Sequence, residues 1–162
     1  CFHQCHSTID HLVTLRVLME ESRFKGKRLY CCFVDFKKAF DMIPRNNLWR
    51  RMEELQVPSE FMLAVSRIYE KVICQLRIGR EISGIFVSTI GVKQGCPLSP
   101  TLFGLCIDQL EQMVLDFIQE EGIEEFTICN AVIMLLLYAD DVVLLAHTLE
   151  DAQKLMVVLE NF

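Results

Sequence analysis

Tyr138-Ala139-Asp140-Asp141 places two adjacent carboxylates between two apolar runs, AVIMLLL before it and VVLLA after it. Burying ionised groups is unfavourable by several kcal/mol unless they are paired or bound to metal. A hairpin with two acids at its tip is therefore a candidate holder for a hard divalent cation. The competing reading is a solvated turn between two core strands, for which Asp is equally suited. A membrane span over residues 131–146 is excluded. The run is short, and two central aspartates would each oppose insertion by about 2.5–3.5 kcal/mol.

A cation site needs oxygens from a second chain segment. Asp35 is the best candidate, because it ends the run LYCCFVDF, whose aromatic and β-branched residues favour a buried strand, and the polar pair Lys37 and Lys38 follows.

The elements that must position these acids follow from spacing and punctuation. Ser7-Thr8-Ile9-Asp10 predicts a capping box opening a helix through about Phe24, and Lys25-Gly26-Lys27 turns the chain into a strand over 29–35. Helices are expected near 45–55, with Leu48, Met52 and Leu55 on one face, and near 59–72, with Phe61, Val65, Ile68, Tyr69 and Val72 inward. Residues 73–89 read as a hairpin turning at Gly79, Arg80 and Glu81. Gly91, Gly95 and Pro97 punctuate a loop in which Ser99 can cap the helix that follows and Pro100 fits its first turn. That helix, over 100–120, turns Phe103, Cys106, Leu110, Met113 and Phe117 inward and ends at Gly122. After the acidic hairpin a last helix opens at Thr148, with Ala152, Leu155, Leu159 and Phe162 along one face.

Three segments together carry a resemblance. FVDFKKAFD at 33–41, GVKQGCPLSPTLFGLCID at 91–108 and YADDVVLLA at 138–146 resemble motifs A, B and C of reverse transcriptases, most closely those of non-LTR (LINE-type) retrotransposons, and the similarity runs through essentially all 162 residues. The resemblance implies an α+β polymerase palm of the right-hand type, an antiparallel sheet with packed helices, plus part of the fingers. It implies a single partial domain over 1–162, with a fingers helix leading into the palm over 1–28 and the palm itself over 29–162. Because the chain starts at a cysteine and stops inside a helical pattern, it reads as a fragment without N-terminal fingers, motif D or thumb, so that the segment alone would be inactive.

The implied activity is RNA-templated DNA synthesis as part of a retroelement polyprotein, with an RNA template, a DNA primer and deoxynucleoside triphosphates as partners. Asp35, Asp140 and Asp141 would be the catalytic and metal-binding acids for two Mg2+ ions, with Mn2+ as a substitute. Such ions activate the primer 3′-hydroxyl and neutralise the triphosphate. Phe40, five residues after Asp35, would be a steric gate against a ribose 2′-hydroxyl, although phenylalanine is also an ordinary core residue. Gln94 and Gly95 would lie near nucleotide and template, Lys93 near phosphate, and Tyr138 is counted with them. As residue types alone, the motif B positions equally serve a strand-to-helix connector. Asp41 reads as a helix-start carboxylate next to Pro44.

Composition sets bounds. The length fits one domain, and 52% hydrophobic residues supply a core. No uninterrupted apolar stretch of membrane-spanning length and no secretory signal is present, so an intracellular chain is expected, in the nucleus by resemblance. A net charge of −6 argues against nucleic-acid binding, but residues 16–51 hold ten Lys and Arg against four acids, and this basic third could track a phosphate backbone or form a solvated face. The eight cysteines lie mostly in apolar segments and read as reduced core residues. Cys1, His3, Cys5 and His6 are potential zinc ligands, crowded without the loop separation of structural sites; CFHQCH also departs from the family pattern. Two alternatives stand beside the leading reading: a group II intron maturase-type enzyme, and a decayed or domesticated palm that binds nucleic acid or protein without catalysis.

Overall fold

The computed structural model describes residues 8–162. The potential zinc ligands of CFHQCH and the capping residue Ser7 lie outside the described residues. In chain order the elements are α1 (Thr8–Phe24), β1 (Tyr30–Asp35), α2 (Ala39–Met42), α3 (Arg45–Glu54), α4 (Ser59–Glu70), β2 (Val72–Cys74), β3 (Arg77–Ile78), β4 (Glu81–Ile82), β5 (Phe86–Ser88), α5 (Ser99–Glu121), β6 (Thr127–Ile128), β7 (Ala131–Val132), β8 (Leu135–Tyr138), β9 (Asp141–Ala146) and α6 (Leu149–Asn161). The fold is thus a mixture of helices and antiparallel sheets. The chain forms two compact units, one from residues 1–37 and 107–162 and the other from 38–106.

The first unit is built on a three-stranded antiparallel sheet of order β1-β9-β8. Side chains alternate across β1, leaving Tyr30, Cys32 and Val34 half-buried and Cys31, Phe33 and Asp35 exposed. The half-buried face packs on α6, with the Cys32 thiol 3.2 Å from the Met156 sulfur. Leu155, Val158 and Leu159 of α6 are buried, and Thr148 caps that helix through its hydroxyl, which accepts from the Asp151 N–H. Full burial of a side chain such as Leu110, Leu145 or Leu155 contributes about 1.5–3 kcal/mol.

Several expectations are corrected. The deepest stripe of α5 runs through Phe103, Ile107, Leu110, Val114 and Ile118, while Cys106, Met113 and Phe117 are only half-buried. The inward face is rotated by about one residue from the expected one, as the 3.6-residue period drifts along 23 residues. Phe162 is 41% exposed. In the apolar run 131–137 the chain forms β7, leaves the ladder at Ile133 and Met134, and resumes as β8. A small hairpin of β6 and β7 therefore precedes the acidic one, turning at Cys129 and Asn130, both with positive φ. None of the six described cysteines is fully buried.

The second unit places α3 and α4 against each other, with Leu48, Met52, Val65 and Tyr69 buried. Leu55, Phe61 and Ile68 are exposed, and Val72 begins β2 instead of continuing the helix. The expected hairpin over 73–89 is two short ladders, β2 with β5 and β3 with β4, and the inner turn is Gly79 and Arg80 alone, with Glu81 already in its strand.

Candidate active site

The carboxylates lie at one end of the three-stranded sheet. Asp35 of β1 sits directly opposite Asp141 of β9, and Asp141 is opposite Tyr138 of β8. Directly opposed side chains share a face, with Cβ atoms roughly 4.5–5.5 Å apart. The row Asp35, Asp141, Tyr138 therefore lies on the face that carries Phe33, Val143 and Leu136 in the next row. Asp140 occupies the two-residue turn with Ala139, and its carbonyl accepts from the Phe36 N–H at 3.4 Å. Ala139 has φ +53°, while Asp140 is not among the positive-φ residues. This is the arrangement of a type II′ turn, which normally takes glycine at its first central position. An L-residue there adds about 1–2 kcal/mol of strain, so the turn that carries the acids is held by its strands against local preference.

The acids are not desolvated as the apolar flanks suggested: Asp35 and Asp141 are exposed and Asp140 is half-buried. What demands explanation is instead the opposition of two like charges across a ladder, an unfavourable pairing. Oxygen donors of this kind suit a hard divalent cation. Among the described residues, no three His, Cys, Asp or Glu side chains are grouped closely enough to hold a metal ion by themselves.

Beside the acidic row a groove of about 470 Å³ runs between α1 and the sheet, lined by His11, Leu12, Phe33, Asp35, Leu136, Tyr138 and Asp141 among others. His11 meets Tyr138 edge to face, ring centroids 6.0 Å apart.

The motif B residues are held in the second unit. Phe40, in α2, is half-buried and stacks on Phe103, with centroids 4.8 Å apart and planes inclined by 14°. The Gln94 amide donates to both carboxylate oxygens of Asp41, at 3.1 and 3.2 Å. The Lys93 ammonium donates to the Ile68 carbonyl at 3.0 Å and lies 5.6 Å from the centroid of the Tyr69 ring. Gly95 has φ +81° and open space where a Cβ would sit. The close backbone approach is made by Gly91, whose Cβ would lie 2.5 Å from the Asp41 carbonyl oxygen. Ser99 does not cap its helix: its hydroxyl donates to the Lys93 carbonyl at 2.6 Å and shares a hydrogen bond with the Tyr69 hydroxyl.

One residue escaped the sequence reading. The Arg45 guanidinium donates to four carbonyls: Gly91 at 2.8 Å, Tyr69 and Ser88 at 3.0 Å each, and Ile90 at 3.1 Å. No motif flags it, because carbonyl acceptors leave no trace in residue type.

Much of the basic third is engaged locally. Arg16, Lys25, Lys27, Arg50 and Arg51 are all in exposed or partly exposed ion pairs with glutamates, each worth little individually. The Lys27 ammonium, bonded to Glu124, holds that carboxyl below its ordinary range. No helix among the described residues is long and apolar enough to cross a membrane.

Comparison with known proteins accounts for the acidic row and the loop around Gly91 together. Residues 2–162 match the family described as reverse transcriptase (RNA-dependent DNA polymerase), and the chain belongs to that family. It is 32% identical over 139 residues to the retrovirus-related Pol polyprotein from type-1 retrotransposable element R2 of Nasonia vitripennis, covering 86% of this chain and 13% of that protein. It is 29% identical over 147 residues to the corresponding polyprotein from type-2 retrotransposable element R2DM of Drosophila melanogaster, covering 91% and 13%. Similarity also extends to the transposon TX1 uncharacterized 149 kDa protein of Xenopus laevis, 26% identical over 149 residues, covering 90% and 11%. The chain thus spans only 11% to 13% of the length of these relatives.

Proposed function

We propose that this chain is the catalytic palm segment, with part of the fingers, of an RNA-directed DNA polymerase encoded by a non-LTR retrotransposon and acting in the nucleus. The observation that carries the reading is the opposition of Asp35 and Asp141 across the ladder, one residue from the turn that bears Asp140. Magnesium commonly takes one or two protein carboxylates and completes its octahedron with water and substrate phosphates, so an opposed pair fits such an ion in kind. When bound, two divalent ions would supply activation of the primer 3′-hydroxyl and neutralisation of the triphosphate charge. Asp35 and Asp140 are assigned as the principal ligands and Asp141 as the assisting one.

The rest of the chemistry is positioning. Tyr138 and the apolar rows beneath it offer a floor for the primer terminus. Phe40 is assigned to exclusion of a ribose 2′-hydroxyl, and its stack on Phe103 supports that role by fixing the ring's plane. Lys93, Gln94 and Gly95 are assigned to the nucleotide and template side. In this assignment Lys93 must exchange its bond to the Ile68 carbonyl for a phosphate contact.

The test is primer extension by the complete protein on an RNA template with deoxynucleotides and Mg2+. The reading requires a DNase-sensitive product whose sequence complements the RNA. Extension on DNA templates alone would overturn it, and so would RNA binding without synthesis, the outcome expected of a non-catalytic palm.

A further inference from the structure

We propose that Arg45 is a positioning residue for nucleotide selection, which sets the placement of Lys93, Gln94 and Gly95 relative to the Phe40 ring. The inference rests on the assignment of those residues to the nucleotide side and goes beyond it, since Arg45 belongs to none of the three motifs.

The need for such a residue follows from the backbone. Between the end of β5 and the start of α5 the chain has no helix or strand, so its carbonyls lack ladder partners, and buried or half-buried carbonyls without donors are unfavourable. Arg45, half-buried at the first turn of α3, fills that deficit. Its Nε bonds the Gly91 carbonyl, its Nη2 the Ile90 carbonyl, and its Nη1 both the Ser88 and Tyr69 carbonyls. Its Cζ lies 5.4 Å from the centroid of the Tyr69 ring. One guanidinium thus ties the end of α4, the end of β5 and the motif B loop to the start of α3.

The opposite edge of the same loop is fastened to α2 and the residue after it. Gly91 donates its N–H to the Ile43 carbonyl at 2.9 Å, and Val92 donates to the carbonyl of Phe40 itself at 2.8 Å. Gly91 lies so close to Asp41 that no side chain fits between them. Two residues further on, the Gln94 amide reaches the Asp41 carboxylate. The loop is therefore pinned from both sides at Gly91, immediately before Lys93, Gln94 and Gly95. Arg45 supplies one side, and Phe40 to Ile43 the other.

Lysine cannot reproduce this arrangement. Its three donors radiate from one atom, whereas the planar guanidinium presents up to five N–H groups in a fixed fork. Arg45→Lys keeps the charge and stem but releases at least one of the four carbonyls. The loop should then fluctuate, and Gln94 and Phe40 should lose their fixed separation.

The experiment is single-nucleotide incorporation by the complete protein on a primed RNA template, with Arg45→Lys, Arg45→Gln and Phe40→Ala compared with wild type. Four quantities are read: KM and kcat for a deoxynucleotide, the ratio of kcat/KM for deoxy- over ribonucleotide, primer-template affinity and thermal midpoint. For Arg45→Lys the expected result is a rise in KM of roughly tenfold with kcat within about threefold, a lowered deoxy/ribo ratio and unchanged primer-template affinity, the signature of lost substrate positioning. Arg45→Gln should shift KM further in the same direction; should it fail to fold, Arg45→Lys decides alone. A lowered midpoint with wild-type KM and ratio in Arg45→Lys would overturn the proposal and leave Arg45 a stabiliser of the loop. Loss of kcat and KM effects in equal measure with primer-template affinity would overturn it too. Phe40→Ala tests the underlying assignment separately: an unchanged ratio there refutes the gate, whereas the KM shift of Arg45→Lys reports on the clamp whether or not the gate exists.

Discussion

Replacing Gly91 by alanine should be among the most damaging single changes in the loop of motif B, and its magnitude can be worked out in two parts. Gly91 has φ +78°, where an L-residue adds about 1–2 kcal/mol of strain. The added Cβ would also lie 2.5, 2.7 and 2.8 Å from the carbonyl oxygen, carbonyl carbon and Cα of Asp41. These are backbone atoms, so no rotamer change relieves the overlap, and forced overpacking of this kind destabilises by typically 1–3 kcal/mol. The sum is roughly 2–5 kcal/mol, which for a domain of this size lowers the thermal midpoint by about 2–4 °C per kcal/mol. Gly95→Ala is the internal control, because Gly95 has φ +81° but nothing within 4 Å of the added atom; it should show the strain part alone. Thermal unfolding of both variants beside wild type therefore isolates the steric part. Equal midpoints for the two variants would refute the close approach of the motif B loop to Asp41.

Two further outcomes are expected. Phe40→Ala should admit ribonucleotides far better than wild type in primer extension, together with a loss of about 0.5–1.5 kcal/mol from its stack on Phe103; unchanged discrimination with the same loss of stability would make Phe40 core packing only. Glu124 has its carboxyl held below its ordinary value by the hydrogen bond from Lys27, so its contribution to stability is present above about pH 4.5 and lost as the pH falls through the lowered value. Wild type should therefore melt above Glu124→Gln at pH 7, with the gap closing on acidification below pH 4.5 in a pH series of thermal midpoints; a gap that persists at pH 3 would contradict the linkage.

Much of the framework was legible because its signals are local. The alternation of β1, the hydroxyl cap at Thr148, the glycine stop at Gly122 and the long apolar period of α5 each depend on residues close in sequence, and each element is where the pattern puts it. Phase was harder: Val72 continues the helical period of α4 in sequence, yet it is a β-branched residue at the point where pairing with Ser88 wins over propagation of the helix. The acidic tetrad was legible as chemistry but not as environment. Its apolar neighbours are buried on β9 while the carboxylates stand at the exposed end of the sheet. Arg45 was not legible at all, since its partners are four carbonyls from residues 24 to 46 positions away.

The central claim is that the acids at the end of the β1-β9-β8 sheet carry nucleotidyl transfer by holding divalent cations. It is tested most directly by Mg2+-dependent primer extension with Asp35→Asn and Asp140→Asn in the complete protein, with thermal midpoint and RNA-template affinity measured on the same samples. Each substitution preserves size and removes one ligand charge. Extension should fall by at least roughly a hundredfold, as when charge stabilisation at a reacting centre is removed, while template affinity stays at the wild-type value. Without divalent ions, the midpoint of Asp35→Asn should equal or exceed that of wild type, because Asp35 and Asp141 repel across the ladder. Wild-type extension by Asp35→Asn would contradict the metal assignment, and a collapse of its midpoint would show the carboxylate to be structural.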